Sequence, residues 1–475
     1  MSRGRTLERV VVVGAGMAAV RLAGDLAGGG AHDVVLLGDE PHAPYNRILL
    51  SAVLEGTHDP ASLALPLPDE VDLRTGTRVV EVHRAEREVE LADRTRVGYD
   101  RLVLATGSVP TLPPIRGLVR VDGRLDDRVH AFRSLEDCRR LDAAVPAARR
   151  AVVVGGGLLG LQVARALSVR GLVTEVVEGG EHLLRSQVGP AAGSVLARGL
   201  RRLGTTVCTG ARAVRLTPTG DTCRLSLDNG YALEDLDLVV LTAGGRPSTA
   251  LARRAGLAVR RGVVVDDRLC TSDEQVHAIG DCAQRGDRTT GFVAPAWEQA
   301  EVLARHLRGE DRSYEGSRVV ARLRATDLDV AVLGEPERAE GEVVEVTNPV
   351  VGSHRKLVVR DGRIVAATLV GDLSRVGLVT QHFDRGTVLG PTEPADLLLP
   401  ERPAAGAPSA AAALPDDAEV CACAGVTAGR VRACSSLADV TATTRATTGC
   451  GGCAASVRDL LAARPSLSSM EGTPR

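Results

Sequence analysis

Two cysteine pairs and two glycine-rich turns carry the residue types and spacings that could do chemistry. Cys421-Ala422-Cys423 and Cys450-Gly451-Gly452-Cys453 are a C-x-C and a C-x-x-C with 26 residues (424 to 449) between them. Such short spacings let two thiolates from one turn point at a common centre, and the glycines admit backbone N–H groups to the sulfurs. Four thiolates suit either zinc or a [2Fe–2S] cluster. The glycine turns are Gly14-Ala15-Gly16-Met17-Ala18-Ala19 and Gly155-Gly156-Gly157-Leu158-Leu159-Gly160. In a fingerprint of this kind the first glycine permits a tight turn and the second lets the backbone approach a pyrophosphate. The third lets helix and strand pack closely. The helix that follows presents N–H donors and a positive dipole end to the phosphate.

Each turn needs a strand before it and a helix after it. Val10 to Val13 is a β-branched run, and a helical stretch reaches Leu26; Ala151 to Val154 repeats the run, with a helix to about Val169. Apolar strands follow at Asp33 to Leu37 and at Thr174 to Val177, so the sequence predicts a βαβ unit used twice. An acid after that second strand can bond a ribose 2′-hydroxyl. Glu178 lies 18 residues after Gly160; Asp39 lies 20 after Ala19 with Glu40 adjacent, so either acid could serve the first unit.

Further strands are expected at Arg101 to Leu104, Asp237 to Leu241 and Gly262 to Val265. From Arg318 to about Val388 the pattern changes to shorter alternating strands, with Asp361-Gly362 as a hairpin turn. An Ala/Pro-rich stretch, Pro400 to Pro415, reads as a semi-flexible tether, and five of the 10 cysteines lie beyond it. Composition limits the function. The 475 residues, 44% hydrophobic and 25% charged with net charge -2, suit a multidomain globular protein and argue against a nucleic-acid binder. No apolar run approaches the roughly 18 residues of a membrane helix, and no signal peptide is recognised, so a cytoplasmic protein is expected.

Particular strings carry a family resemblance. Tyr45-Asn46-Arg47-Ile48-Leu49-Leu50-Ser51, Leu102-Val103-Leu104-Ala105-Thr106-Gly107-Ser108-Val109-Pro110 and Ala278-Ile279-Gly280-Asp281-Cys282-Ala283 resemble the two-dinucleotide flavoprotein disulfide reductase superfamily. The resemblance implies FAD in the first unit, with Ala105, Thr106 and Gly107 closing its domain and Gly280-Asp281 at the ribityl and phosphate. It implies FAD contacts for Gly14, Gly16, Ala19, Asp39, Glu40, Arg47, Glu298 and Gln299. Gly155, Gly157, Gly160, Gln162, Glu178, Gly244 and Gly245 would then hold the nicotinamide nucleotide. Glu178 repels a 2′-phosphate and favours NADH, while the nearby Arg185 keeps NADPH open. Gln162 stands where many relatives have Glu, which changes the electrostatics at the nicotinamide ring.

The family's disulfide reductases need two close cysteines on the flavin face. Here Cys138, Cys208, Cys223, Cys270 and Cys282 are scattered singly, which argues against a thioredoxin- or glutathione-reductase function. Buried apolar roles are expected for them, with Cys282, beside Asp281, singled out for titration. An electron-carrying flavoprotein in the same chain shifts the four-thiolate choice from zinc to iron–sulfur. Val420 to Thr427 and Thr444 to Cys453 also resemble the bacterioferritin-associated-ferredoxin-like [2Fe–2S] domain, implying Cys421, Cys423, Cys450 and Cys453 as ligands. The chain is about five residues short of that family between Ala424 and Ala433, and Cys434 is expected to be structural.

Taken in order, these parts resemble the N-terminal part of NADH-dependent assimilatory nitrite reductase and the electron-transfer subunit of assimilatory nitrate reductase. Phe132-Arg133-Ser134-Leu135-Glu136-Asp137, Ala294 to Ala300 and Arg355 to Gly362 support this. The expected fold is α/β: two Rossmann-like dinucleotide-binding domains, a β-rich α+β C-terminal domain and a small helical [2Fe–2S] module. The expected spans are FAD domain 8–120 and 241–312, NAD(H) domain 121–240, C-terminal reductase domain 313–396, linker 397–417 and cluster module 418–464. The cysteines that a siroheme and [4Fe–4S] module would need after this point are not in the 475 residues, so electron delivery to a nitrate or nitrite reductase catalytic subunit is expected. Two alternatives stand beside it: an NADH–ferredoxin or rubredoxin-type reductase for another redox partner, and a non-enzymatic zinc-binding redox sensor.

Overall fold

The run Val10–Val13 is buried on both faces, as the central strand of a parallel sheet must be. In this computed structural model, which describes residues 7–391, 393–399, 414–421, 425–444, 446–447 and 453–463, that run belongs to the strand Glu8–Val13. It is the middle of five parallel strands, in the order Val276–Ala278, Arg101–Leu104, Glu8–Val13, His32–Leu37 and Asp72–Arg74. The helix Met17–Ala27 covers the sheet with Ala19, Leu22, Ala23 and Leu26, an i, i+3, i+4, i+7 stripe. The helix Val293–Leu307 packs beside it, and Trp297 Nε1–H donates to the carbonyl of Met17 at 3.2 Å.

The second sheet repeats the first strand for strand. Its order is Thr206–Thr209, Val173–Glu178, Arg150–Val154, Leu238–Leu241 and Val129–Ala131, again all parallel. Each unit also carries a three-stranded antiparallel meander, Val79–His83 to Arg96–Gly98 in one and Ala213–Thr219 to Ala232–Leu236 in the other. A short ribbon joins the units: Ser108–Pro110 pairs antiparallel with Gly245–Pro247, and Ser248 N donates to Gly107 O at 2.9 Å.

The C-terminal sheet is antiparallel, in the order Val320–Ala325, Leu328–Leu333, Arg363–Val370, Ser353–Arg360 and Glu342–Asn348. Strand alternation splits its residues between two cores. Leu328, Val330 and Val332 share a core with Leu161 and Ala164 of the second unit, whereas Ala331 and Leu333 face Val379 and Phe383. Asp361 and Gly362 form the expected two-residue turn, both left-handed at φ 52° and 69°. Two expectations need correction here. These strands run to 6–8 residues, so they are not short. The stretch Val376–Arg385 is a helix, because Val379 and Phe383, one turn apart, bury on one side. Leu397 and Leu398 are also buried in this core, so these two residues pack with the domain rather than acting as tether.

The cluster module is built from a small hairpin, Glu419–Cys421 with Val426–Thr427, and the helices Ala428–Ala433, Leu437–Thr444 and Ala454–Ala462. Its first helix has only 6 residues, in keeping with the shortened sequence. Val426, Val431, Val440, Val457 and Leu460 form its core with Cys421, Cys434 and Cys453. Among the described residues no helix is long and apolar enough to cross a membrane.

Candidate functional site

The two glycine turns have nearly the same geometry. Gly14 and Gly155 sit at φ 108° and 121°. A Cβ on Gly14 would strike the Ala105 carbonyl oxygen, and one on Gly155 would lie 2.5 Å from that of Thr242. Only glycine meets both demands. The middle glycines differ. Gly16 and Gly157 precede their helices at φ -82° and -79°, which any residue adopts, and a Cβ there would meet no protein atom within 4 Å. Packing does not require glycine at these two positions, and both helices start without a side-chain cap. Bare N–H groups facing open space at a helix N-terminus suit a pyrophosphate, so both cradles fit a dinucleotide. The third position shows why the units differ. A Cβ on Gly160 would overlap the Gly155 carbonyl oxygen, whereas Ala19 is accommodated and fully buried.

The acids do not stand in matching places. Gly155 N donates to Val177 O at 2.9 Å, and Gly14 N to Leu37 O at 2.8 Å. The first-unit residue matched with Glu178 is therefore Gly38, where a Cβ would lie 2.9 Å from that of Ala15. In the second unit the acid ends the strand, whereas in the first the expected acids, Asp39 and Glu40, follow the glycine. Glu40 accepts from Tyr45 Oη at 2.7 Å and pairs with Arg47, whose guanidinium lies over the Tyr45 ring. Tyr45 Oη also accepts from Leu135 N at 2.8 Å, and burial pushes its phenol well above the usual tyrosine range. Asp39 is largely exposed, with Arg78 at 3.9 Å. Glu178 accepts from Gly156 N and Gly180 N, both at 2.7 Å, and Arg185 Nε lies 3.8 Å from it. The guanidinium that sequence proximity suggested thus lies beside Glu178.

Gly280 and Asp281 meet the first turn from the far side. Gly280, at φ 74°, sits where a Cβ would come 3.3 Å from that of Ala18, and its N–H donates to the buried Gln299 Oε1 at 2.7 Å. Asp281 Oδ2 accepts from Ser108 Oγ at 3.0 Å and from Arg133 Nη2 at 2.6 Å. Arg133 was not among the expected site residues. Its sequence signals are its place in the string Phe132 to Asp137 that supports the resemblance and its position before a helix cap, where Asp137 accepts from Ser134 N at 2.9 Å and Ser134 Oγ accepts from Asp137 N at 3.1 Å. Thr106 Oγ1 donates to Ser248 O at 2.8 Å, so the Ala105–Gly107 turn is tied to the chain leaving the second unit. Gly245 opens the joining ribbon and Gly244, at φ 91°, immediately precedes it, and Gln162 is half-buried on the helix Leu158–Val169. Glu298 is exposed, next to Gln299 on the helix Val293–Leu307.

The lone cysteines are structural in setting. Burial pushes the thiol of Cys138 up to about 12, and those of Cys223 and Cys270 up to about 11. Cys282 is fully buried, donates to Leu104 O and Ile279 O at 3.3 Å, and is likewise pushed up by burial. Its nearness to Asp281 in sequence does not make it reactive. At the other end of the chain Cys421 and Cys453 are both buried in the module core. Cys453 immediately precedes the helix Ala454–Ala462, and Thr447 N donates to its sulfur at 3.2 Å. Two buried cysteines, one of them with its sulfur met by a backbone N–H donor, fit thiolate ligands. Cys423 and Cys450 lie outside the described residues. Cys434 donates to Arg430 O at 3.3 Å, as a structural thiol does.

Two dinucleotide cradles joined by a ribbon, followed by a cysteine module, define a class, and comparison with known families bears it out. Residues 8–300 match the pyridine nucleotide-disulphide oxidoreductase family, and the chain belongs to it. Residues 419–463 match the BFD-like [2Fe–2S] binding domain, so the cofactors of the chain are FAD, a nicotinamide nucleotide and a [2Fe–2S] cluster. Similar curated proteins include a nitrite reductase [NAD(P)H] of Bacillus subtilis, 34% identical over 96% of this chain and 57% of its own length. Another is the assimilatory nitrate reductase electron transfer subunit of the same organism, 31% identical over 96% of this chain and 59% of its own. The nitrite reductase (NADH) large subunit of Escherichia coli is 32% identical, over 98% and 56%. The chain therefore spans less than two thirds of the length of these relatives. Among solved structures, the putidaredoxin reductase–putidaredoxin complex matches with a TM-score of 0.74 and 27% identity, over 81% of this chain and 95% of the other.

Proposed function

We propose that this chain is an NADH-dependent reductase that passes electrons through FAD and its own [2Fe–2S] centre to a catalytic partner in the cytoplasm. The partner is the catalytic subunit of an assimilatory nitrate or nitrite reductase. One observation carries the reading: both dinucleotide cradles and the four-cysteine module occur in one chain, in the order found in relatives named for nitrite and nitrate reduction. Bound flavin supplies the needed chemistry, since it accepts one hydride, an electron pair, from a reduced nicotinamide and returns the two electrons singly.

In this reading the protein's part is orientation and electrostatics. Gly14, Gly16 and Ala19 bring backbone N–H groups to the FAD pyrophosphate. Arg47 and Glu40 line the adenosine side with Asp39, and Ala105, Thr106, Gly107, Glu298 and Gln299 border the remainder. Asp281 is an acceptor for ribityl hydroxyls and Arg133 a cation beside it. Gly155, Gly157 and Gly160 cradle NADH, Glu178 accepts from its ribose, and Gln162, Gly244 and Gly245 lie toward the nicotinamide. Cys421, Cys423, Cys450 and Cys453 hold the cluster.

A second reading is supported by the likeness to putidaredoxin reductase, solved in a covalent complex with putidaredoxin. In it the same chain serves a different redox partner. Reconstitution distinguishes the two: the purified chain, NADH and a nitrate or nitrite reductase catalytic subunit should give NADH-dependent nitrate or nitrite loss. Cluster reduction by NADH without turnover by either subunit would favour the second reading.

A further inference from the structure

Thr447 is a β-branched residue at φ 73°. Its branched Cβ crowds the backbone in this region, so the conformation persists only where the surroundings enforce it, and such strain gathers at functional sites. Two contacts account for it. The Thr447 N–H donates to Cys453 Sγ at 3.2 Å, and the Thr447 hydroxyl lies 3.2 Å from that of Thr441. Thr441 is on the helix Leu437–Thr444, anchored in the module core by Val440 and Thr444. That helix is fixed at its start, where Asp439 N donates to Ser436 Oγ at 3.1 Å and Asp439 accepts from Ser435 N at 2.6 Å. Thr441 therefore offers a rigid hydroxyl to a strained residue, and the strained residue aims a backbone donor at a buried sulfur.

We propose that the Thr441–Thr447 hydroxyl pair is a clasp that holds the Thr447 N–H on the Cys453 sulfur and so sets the reduction potential of the cluster. The proposal rests on the reading of Cys453 as a cluster ligand. Reduction adds negative charge to the cluster and its sulfurs, and an N–H donor stabilises that charge more than it stabilises the oxidised state. The clasp therefore raises the potential. Thr441 does not touch the sulfur; it is a positioning residue that acts through Thr447.

The test is a mediated redox titration of the [2Fe–2S] electron paramagnetic resonance signal in the full-length holoprotein. Thr441→Val keeps the side-chain shape and removes the hydroxyl. Its midpoint should move to more negative potential, with a loss of about three- to tenfold in the reduced-to-oxidised ratio at fixed potential. Thr441→Ser keeps the hydroxyl and should titrate as wild type. Glycine adopts φ 73° unaided, so Thr441→Val combined with Thr447→Gly should return to the wild-type midpoint. A Thr441→Val midpoint equal to wild type, or a double variant that stays low, would overturn the clasp. If Thr441→Val alone takes up no cluster, the double variant decides: loading and titrating as wild type supports the proposal, and failure to load refutes it. A wild-type chain that takes up zinc and never a [2Fe–2S] cluster would refute the ligand reading itself, a result distinct from any shift among the variants.

Discussion

Arg133 Nη2 stands 2.6 Å from Asp281 Oδ2, so a cation at the entrance of the second dinucleotide unit holds an acid of the first. The two residues are 148 positions apart, and Ser108 from the joining ribbon completes the group. Three separate stretches of chain thus converge beside the first glycine cradle.

Arg133→Ala should weaken FAD retention, because Asp281 would then carry an uncompensated charge into the flavin site. The loss of a charge-assisted bond, about 1.5 to 3 kcal/mol, corresponds to about ten- to hundredfold weaker binding. Flavin fluorescence released on dilution measures it. Unchanged retention would show that the pair has no part in holding FAD.

Gly160→Ala should damage the nicotinamide site and spare FAD. The new methyl would overlap the Gly155 carbonyl oxygen and push helix from strand, at a cost of about 1 to 3 kcal/mol. A raised KM for NADH with normal flavin content is the expected outcome. Equal loss of both would show that the two cradles do not act separately.

Glu178→Gln tests coenzyme choice. The carboxylate accepts two backbone N–H bonds at 2.7 Å, with Arg185 Nε at 3.8 Å. Removing its charge leaves Arg185 to meet a 2′-phosphate, and the NADH-to-NADPH ratio of kcat/KM should fall about tenfold, the equivalent of about 1.4 kcal/mol. An unchanged ratio would place the discrimination elsewhere.

Much of this arrangement was legible in the sequence, because strand, glycine turn and helix are local patterns. The duplicated βαβ unit, the Asp361-Gly362 turn and the cysteine pairs are all of that kind. What was not legible depends on distance or on one-residue offsets. Gly38 takes the place matched with Glu178 because the first unit has one more residue between turn and strand end. Arg133 meets Asp281 only after the fold is complete. Val376–Arg385 contains two valines and a leucine and reads as strand, yet the burial of Val379 and Phe383 on one side makes it helical.

Acid stability should depend on His277. It is fully buried with its ring edge-on to His306, centroids 5.8 Å apart, and burial lowers its pKa to about 3. The unfolded chain takes up a proton near the ordinary histidine pKa of about 6.5, and the folded chain refuses it until far lower pH. Stability should therefore fall as pH drops below about 6.5, by up to about 1.4 kcal/mol per pH unit from this group. Denaturant titrations at pH 7 and pH 5 should show a smaller drop in His277→Leu than in wild type. Equal drops would remove His277 as the cause.

The most direct measurement is anaerobic mixing of the holoprotein with NADH, followed by absorbance and by freeze-quenched electron paramagnetic resonance. The flavin band should bleach and the [2Fe–2S] signal should then rise; Cys450→Ser should keep the first change and lose the second. If NADH bleaches the flavin while a cluster that dithionite readily reduces stays oxidised, electrons do not travel from one end of this chain to the other.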